Sequence, residues 1–210
     1  MSNKPAPTLM LGGAMAALVN ARTAHSPKAV FVATMSAQFA LDGLGETARR
    51  IDSVPLMGGA SGIGLGIALA RPEVPVIVID GDASLLMELG SLPTVAANKP
   101  GRYLHIVVNN GVQFNGLTNY PTVNLQAGVD FAALALAAGY QRARRIDNHR
   151  DWVAALPELL AAEGTSFVEL AVRNDPRLIG AQRPQPILPE LQFVRMRMGV
   201  RKLKAELAAG

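Results

Sequence analysis

Short runs of β-branched and aliphatic residues alternate along this chain with longer stretches rich in alanine, leucine and glycine. This is the pattern of strands crossed over by helices. Ala29–Ala33, Val76–Ile79, Leu104–Val108 and Ser166–Val172 read as strands. They are nearly free of polar interruptions, as strands are when a parallel sheet is covered on both faces. The helical stretches are Thr8–Asn20, Ala60–Ala70 closed by Arg71-Pro72, Leu85–Ala97, Asp130–Gly139 with its C-terminal glycine, and Trp152–Ala162. The glycine-rich 60–70 segment is expected to lie close against a neighbour. Thr34–Ser36 reads as a polar turn, and Arg49–Pro55 as a polar connection broken by proline. Beyond Asn174, Pro176, Pro184, Pro186 and Pro189 predict an extended arm leading to a basic terminal helix. The expectation is an α/β fold over residues 1–175, an open, mostly parallel sheet with helices on both faces. A Pro-rich C-terminal arm and helix follow over 176–210.

Composition narrows this picture. At 210 residues, half of them hydrophobic, the chain has room for one full core. It has no cysteine, which excludes a disulfide framework and any cysteine-ligated metal site. No apolar run nears the roughly 20 residues of a bilayer span. The first residues lack the apolar stretch of a secretory signal, so a cytoplasmic protein without membrane contact is expected. The formal net charge of +4 is bunched. Arg142, Arg144 and Arg145 form one group; Arg195, Arg197, Arg201, Lys202 and Lys204 form another. Neither has interleaved aromatics for stacking on bases. They are expected to be solvated faces, a subunit contact or a field that steers an anionic substrate, and not a nucleic-acid site.

The candidate chemistry sits at strand ends. In an open parallel sheet, ligands bind outside the carboxyl ends of the strands. Three strands end in polar residues: Thr34 and Ser36 after the first, Asp80 to Ser84 after the second, and Asn109-Asn110 after the third. They should share one rim. Asp82 offers a carboxylate and Asn110 an amide oxygen, hard ligands suited to Mg²⁺ or Ca²⁺. Two side chains are too few for a metal alone, and Mg²⁺ usually completes its octahedron with phosphate oxygens and water. Gly81 and Ala83 let the backbone approach, and the Ser84 hydroxyl lies at the start of the next helix. The stretch therefore fits a metal-bridged diphosphate, although an Asp-Gly-Asp turn is also what a simple helix cap looks like.

A second motif competes. Gly59-Ala60-Ser61-Gly62-Ile63-Gly64 with Asn109-Asn110-Gly111 has the look of a short-chain dehydrogenase, whose glycine loop follows the first strand. The preceding segment is polar and proline-broken, the glycine spacing is one residue short, and no Tyr-x-x-x-Lys pair exists. Asn124 stands four residues after Tyr120, and Arg144 four after Tyr140.

Gly81-Asp82-Ala83-Ser84, followed by Asn109-Asn110, resembles the thiamine diphosphate signature Gly-Asp-Gly…Asn-Asn. Together with the run from Met57 to Ala70, Gly128 to Ala133, and Ala138-Gly139-Tyr140, it is similar to the diphosphate-binding half of thiamine diphosphate-dependent decarboxylases. The likeness is to the β subunit of sulfopyruvate decarboxylase and the matching half of phosphonopyruvate decarboxylase. It covers roughly residues 28–172, with a weaker echo in the tail.

The resemblance implies the thiamine diphosphate-binding fold and a set of roles. Asp82 and Asn110 would coordinate Mg²⁺ through side chains and Val112 through its carbonyl. Ser84, Thr34 and Ser36 would hold the diphosphate, alongside Gly81, Ala83 and Gln113. Met57 would wedge the cofactor into its bent form, and the backbone of Met57 and Pro55 would grip the aminopyrimidine. Ala83 replaces the usual glycine, Pro55 stands where glycine is common, and the 113–120 loop departs from the Ser-Thr-Gly-Gly-Gln-like run of the decarboxylases. In this family a glutamate on a second, pyrimidine-binding domain protonates the cofactor ring. Glu46, Glu73 and Glu88 all fall in the diphosphate-binding half, and His25, His105 and His149 are poor acid–base candidates, His105 being mid-strand. The resemblance thus implies a β-type subunit that completes its site with a pyrimidine-domain α-type subunit, as a dimer of heterodimers or larger, acting on a short 2-oxo acid. A carboligase subunit and a non-catalytic cofactor-binding subunit are the alternatives.

Overall fold

The computed structural model describes residues 6–54, 56–114, 119–122, 128–173 and 189–209. In chain order the elements are α1 (Leu11–His25), β1 (Val30–Ala33), α2 (Met35–Gly43), β2 (Arg50–Asp52), α3 (Gly59–Ala70), β3 (Val76–Gly81), α4 (Asp82–Met87) and α5 (Ser91–Asn98). They continue with β4 (Arg102–Asn109), β5 (Val112–Phe114), β6 (Asn119–Pro121), α6 (Phe131–Ala137), β7 (Arg142–Ile146), α7 (His149–Ala161), β8 (Gly164–Ala171) and α8 (Pro189–Ala208). Six strands form one sheet in the order β2-β1-β3-β4-β8-β7, every neighbouring pair parallel. The order reverses beside β1, so the rim over β1, β3 and β4 is where such a sheet opens a crevice.

Strand side chains alternate between two cores. Phe31, Ile77, Ile79, Leu104, Ile106 and Val168 pack with α1, α2 and α7 on one face. Val30, Val32, Val76, Val78, Val107 and Phe167 pack with α3, α5 and α6 on the other. Each fully buried aliphatic residue contributes about 1.5–3 kcal/mol, so the doubly covered central strands dominate the fold's stability. Trp152 of α7, fully buried, donates its indole N–H to the Ala14 carbonyl of α1 at 2.9 Å and joins two helices of the first layer. The glycine-rich α3 does lie close. A Cβ on Gly64 would strike the Val78 side chain and stand 3.2 Å from the Tyr103 hydroxyl, which donates to the Ser61 carbonyl at 2.7 Å.

Several expectations need correction. The first helix begins at Leu11 and runs to His25. The polar turn at Thr34–Ser36 is the N-terminus of a helix, α2, with Thr34 as N-cap. The 85–97 stretch is two helices, not one, because the chain turns at Glu88–Gly90 before Ser91 restarts it. Pro93 fits in the first turn of α5, where its missing N–H has no intrahelical partner to lose.

The polar segment before Pro55 contains a parallel edge strand, β2. Its Arg50 and Asp52 are buried because they pair with each other at 2.7 Å, while Arg50 also reaches Asp42 at 3.0 Å. Arg195 of α8 contacts Asp42 at 2.7 Å and Asp52 at 2.8 Å, tying the terminal helix over this edge. The arginine run at 142–145 is the opposite edge strand, β7, and charged residues suit an exposed edge. Arg144 pairs with Glu158, and Arg145 with Asp147 and Glu169. Arg142, Arg144, Arg145 and Arg195 therefore serve internal contacts, while Arg197, Arg201 and Lys204 are exposed. The 174–188 stretch, expected to be the arm, lies outside the described residues. Among the described residues no helix is long and apolar enough to cross a membrane.

Candidate functional site

The parallel register brings the polar strand ends to one rim. Ala33 pairs with Ile79, and Gly81 with Val108. Thr34, following β1, is stitched to β3 twice: its N–H donates to the Ile79 carbonyl at 3.0 Å and its hydroxyl to the same oxygen at 3.3 Å. Ser36 stands partly buried in the first turn of α2, whose leading N–H groups have no intrahelical acceptor.

Asp82 opens α4 immediately after β3 and is 1% exposed. One carboxylate oxygen accepts the Ala83 N–H at 2.9 Å and the other the Gly111 N–H at 2.9 Å. The second bond joins the β3 loop to the β4 loop. Asn110 flanks Gly111, and its Oδ1 accepts the Val112 N–H at 3.1 Å. The carboxylate of Asp82 and the amide oxygen of Asn110 thus belong to one corner. Gly111 holds φ at +69°, the left-handed region that glycine enters freely. Beyond the corner, β5 and β6 form an antiparallel hairpin in which Gln113 pairs with Tyr120.

The Ser84 hydroxyl accepts the Gly58 N–H at 2.7 Å, which places the Met57-Gly58 turn against α4. Gly58 sits at φ +84°, and a Cβ there would collide with the Glu88 side chain. Met57 is 41% exposed, with Leu56, Met87 and Leu89 also exposed on the flanking segments. Pro55 lies outside the described residues, as do 115–118 of the departing loop.

The donor chemistry fits a hard divalent cation but does not complete its shell. Carboxylate and amide oxygens suit Mg²⁺. Among the described residues no group of three or more His, Asp or Glu side chains could hold a metal ion by itself. Further oxygens must come from backbone, water or a phosphorylated cofactor. The dehydrogenase motif has no such site, since Gly59, Gly62 and Gly64 are helical residues of α3 and form no loop after a strand.

Buried polar residues of the strands lie beneath this corner. Asp80, His105 and Glu169 are each at most 1% exposed. His105 Nδ1 lies 3.0 Å from the Tyr140 hydroxyl, and its Nε2 lies 3.8 Å from Asp80. Glu169 accepts from the Asn109 amide at 3.0 Å. The sequence marks Asp80 only as part of the polar strand end 80–84, and nothing in the pattern marks Glu169.

Residues 46–170 match the family model described as thiamine pyrophosphate enzyme, C-terminal TPP binding domain. The chain is 42% identical over 132 residues to phosphonopyruvate decarboxylase of Streptomyces viridochromogenes, covering 63% of this chain and 32% of that protein. It is 35% identical over 121 residues to sulfopyruvate decarboxylase subunit beta of Methanothermobacter thermautotrophicus, covering 56% of this chain and 58% of the relative. Benzoylformate decarboxylase from Polynucleobacter necessarius shares the fold, with a TM-score of 0.66 at 16% identity over 84% of this chain and 36% of that one. The chain therefore spans about a third of the phosphonopyruvate relative and less than two thirds of the sulfopyruvate subunit.

Proposed function

We propose, from the premise that this chain belongs to the thiamine pyrophosphate enzyme family through its C-terminal TPP-binding domain, that it is the diphosphate-binding, β-type subunit of a cytoplasmic, heteromeric decarboxylase of a short 2-oxo acid. The observation that carries the reading is the Gly111 N–H bonded to Asp82, which gathers Asp82 and Asn110 at one corner of the crevice rim. Asp82, Asn110 and the Val112 carbonyl hold Mg²⁺. Thr34, Ser36 and Ser84 bind the diphosphate, with Gly81 and Ala83 letting the backbone approach and Gln113 beside them. Met57 stands across the turn from Ser84 and wedges the cofactor, and Pro55 contributes its carbonyl. The cofactor, when bound, supplies the electron sink for loss of carbon dioxide from the 2-oxo acid. The chain's own part is to fix the diphosphate and metal and to keep the reacting end oriented.

The proton relay to the aminopyrimidine is left to a glutamate of a pyrimidine-domain α-type subunit. Two observations support a partner. The sulfopyruvate relatives are named as beta subunits. Leu56, Met57, Met87 and Leu89 are also exposed large apolar side chains on the segments that flank the site, a composition typical of an unfilled contact. A dimer of heterodimers, or a larger assembly, would bury it. The test is turnover of sulfopyruvate or phosphonopyruvate by the purified chain with thiamine diphosphate and Mg²⁺, alone and with the α-type subunit. The proposal requires turnover only with the partner; robust turnover by the chain alone would refute it.

A further inference from the structure

The row of the sheet directly beneath the site carries two acids where the strands would otherwise run on as apolar. Register aligns Asp80 of β3, Val107 of β4 and Glu169 of β8, and both acids are 1% exposed. Burying a carboxylate costs several kcal/mol unless partners offset it, and a well-packed apolar residue at either position would strengthen the core. Each acid instead touches the peptide or side chain just ahead of a proposed ligand. Asp80 Oδ1 accepts the N–H of the following residue, Gly81, at 2.8 Å, one residue before Asp82. Glu169 Oε1 accepts from the Asn109 amide at 3.0 Å, one residue before Asn110.

Each acid is also held from the side. Arg145 Nε stands 3.3 Å from Glu169 Oε1. His105 Nε2 stands 3.8 Å from Asp80 Oδ2, and the same ring meets Tyr140 at 3.0 Å through Nδ1 and Phe167 edge-on at 5.2 Å. Burial, and then the charge of Asp80, push the Tyr140 pKa up, so its hydroxyl keeps its proton. Donating that proton to Nδ1 leaves the ring proton on Nε2, facing the carboxylate; the other tautomer would set a lone pair against it. Asp80 Oδ2, His105 Nε2 and Glu169 Oε2 have no hydrogen-bond partner among the described residues. A closed core network does not explain these buried groups.

We infer that Asp80 and Glu169 are positioning residues that fix the two loop corners bearing Asp82 and Asn110 so that both oxygens can meet one metal ion. The inference rests on the ligand reading above. Groups that orient a metal ligand typically carry 10–100-fold in metal affinity.

The test compares Asp80→Ala and Glu169→Ala with the conservative Asp80→Asn and Glu169→Gln, in the complex with the α-type subunit. Isothermal titration with thiamine diphosphate at increasing Mg²⁺ gives the half-saturating Mg²⁺ for each. The alanine variants should need about tenfold more Mg²⁺ or beyond, with cofactor affinity restored once Mg²⁺ saturates, whereas the variants that retain the oxygen stay within about threefold. An unchanged Mg²⁺ requirement, or a loss that saturating Mg²⁺ does not restore, would overturn the inference. Amide hydrogen exchange on the free chain separates it from the ligand reading. The Ala83 and Gly111 amides, both bonded to Asp82, should exchange at least about tenfold faster in the alanine variants. Wild-type exchange rates there would reject the positioning role, whether or not the wild-type complex takes up the cofactor.

Discussion

At the scale of single residues the site depends on backbone N–H groups held by buried oxygens. Asp82 accepts two of them, and Ser84 accepts that of Gly58. Gly58 can make its turn only because it has no side chain: at φ +84° a Cβ would lie 2.7 Å from Glu88 Cβ. Gly58→Ala should therefore destabilise the chain by about 2 kcal/mol, from left-handed strain with the collision added, as read in urea unfolding. Asp82 and Asn110 could be picked out from sequence because each follows an apolar strand and breaks its pattern. Asp80 stands out only as part of the polar strand end 80–84, and Glu169 does not stand out at all. An acid near the end of a short strand looks like a solvent-facing position, and the facts that bury it are cross-strand neighbours. His105 was legible as a core residue, but its pairing with Tyr140 spans two elements distant in sequence.

Among elements, the C-terminal helix α8 is fastened to the β2 edge by charge. Arg195 and Arg50 bracket Asp42 and Asp52. Burial pulls the Asp42 pKa up, but the Arg195 hydrogen bond and the charges of both arginines outweigh it, leaving the carboxyl below its ordinary value. A depressed acid stabilises the fold above its unfolded pKa, near pH 4, and that contribution fades as the pH falls through the lower folded value. Arg195→Ala should lower the thermal midpoint at pH 7 by about 3 °C. The gap to wild type should narrow as the pH drops below about 4; a gap that does not change with pH would show that Asp42 plays no part. This clamp also explains why β2 was invisible in the sequence: an Arg-Ile-Asp triplet is a strand only when another helix neutralises it. The four central strands, apolar on both faces, were legible from their runs alone. The break between α4 and α5 was missed although Gly90 and Pro93 punctuate the stretch.

For the whole molecule, one sheet brings the proposed metal and diphosphate ligands to one rim, while Leu56, Met57, Met87 and Leu89 stay exposed on the flanking segments. Replacing Leu56 and Met87, 45% and 50% exposed, by serine should change the chain's own stability by no more than about 0.5 kcal/mol. Association with the α-type subunit should weaken at least about tenfold, seen by light scattering of the mixture. Retained association would move the contact elsewhere. The overall α/β architecture was legible because parallel strands and crossover helices have distinct periods, whereas the proposed partner would be marked in this chain only by the apolar side chains left exposed. The most direct test of the account is titration of thiamine diphosphate into the assembled subunits, with Mg²⁺ or with a chelator, for wild type and Asp82→Ala. Wild type should bind only with Mg²⁺, and Asp82→Ala should lose about hundredfold or more in affinity. Equal affinity in the two proteins, or binding by wild type that ignores the chelator, would contradict it.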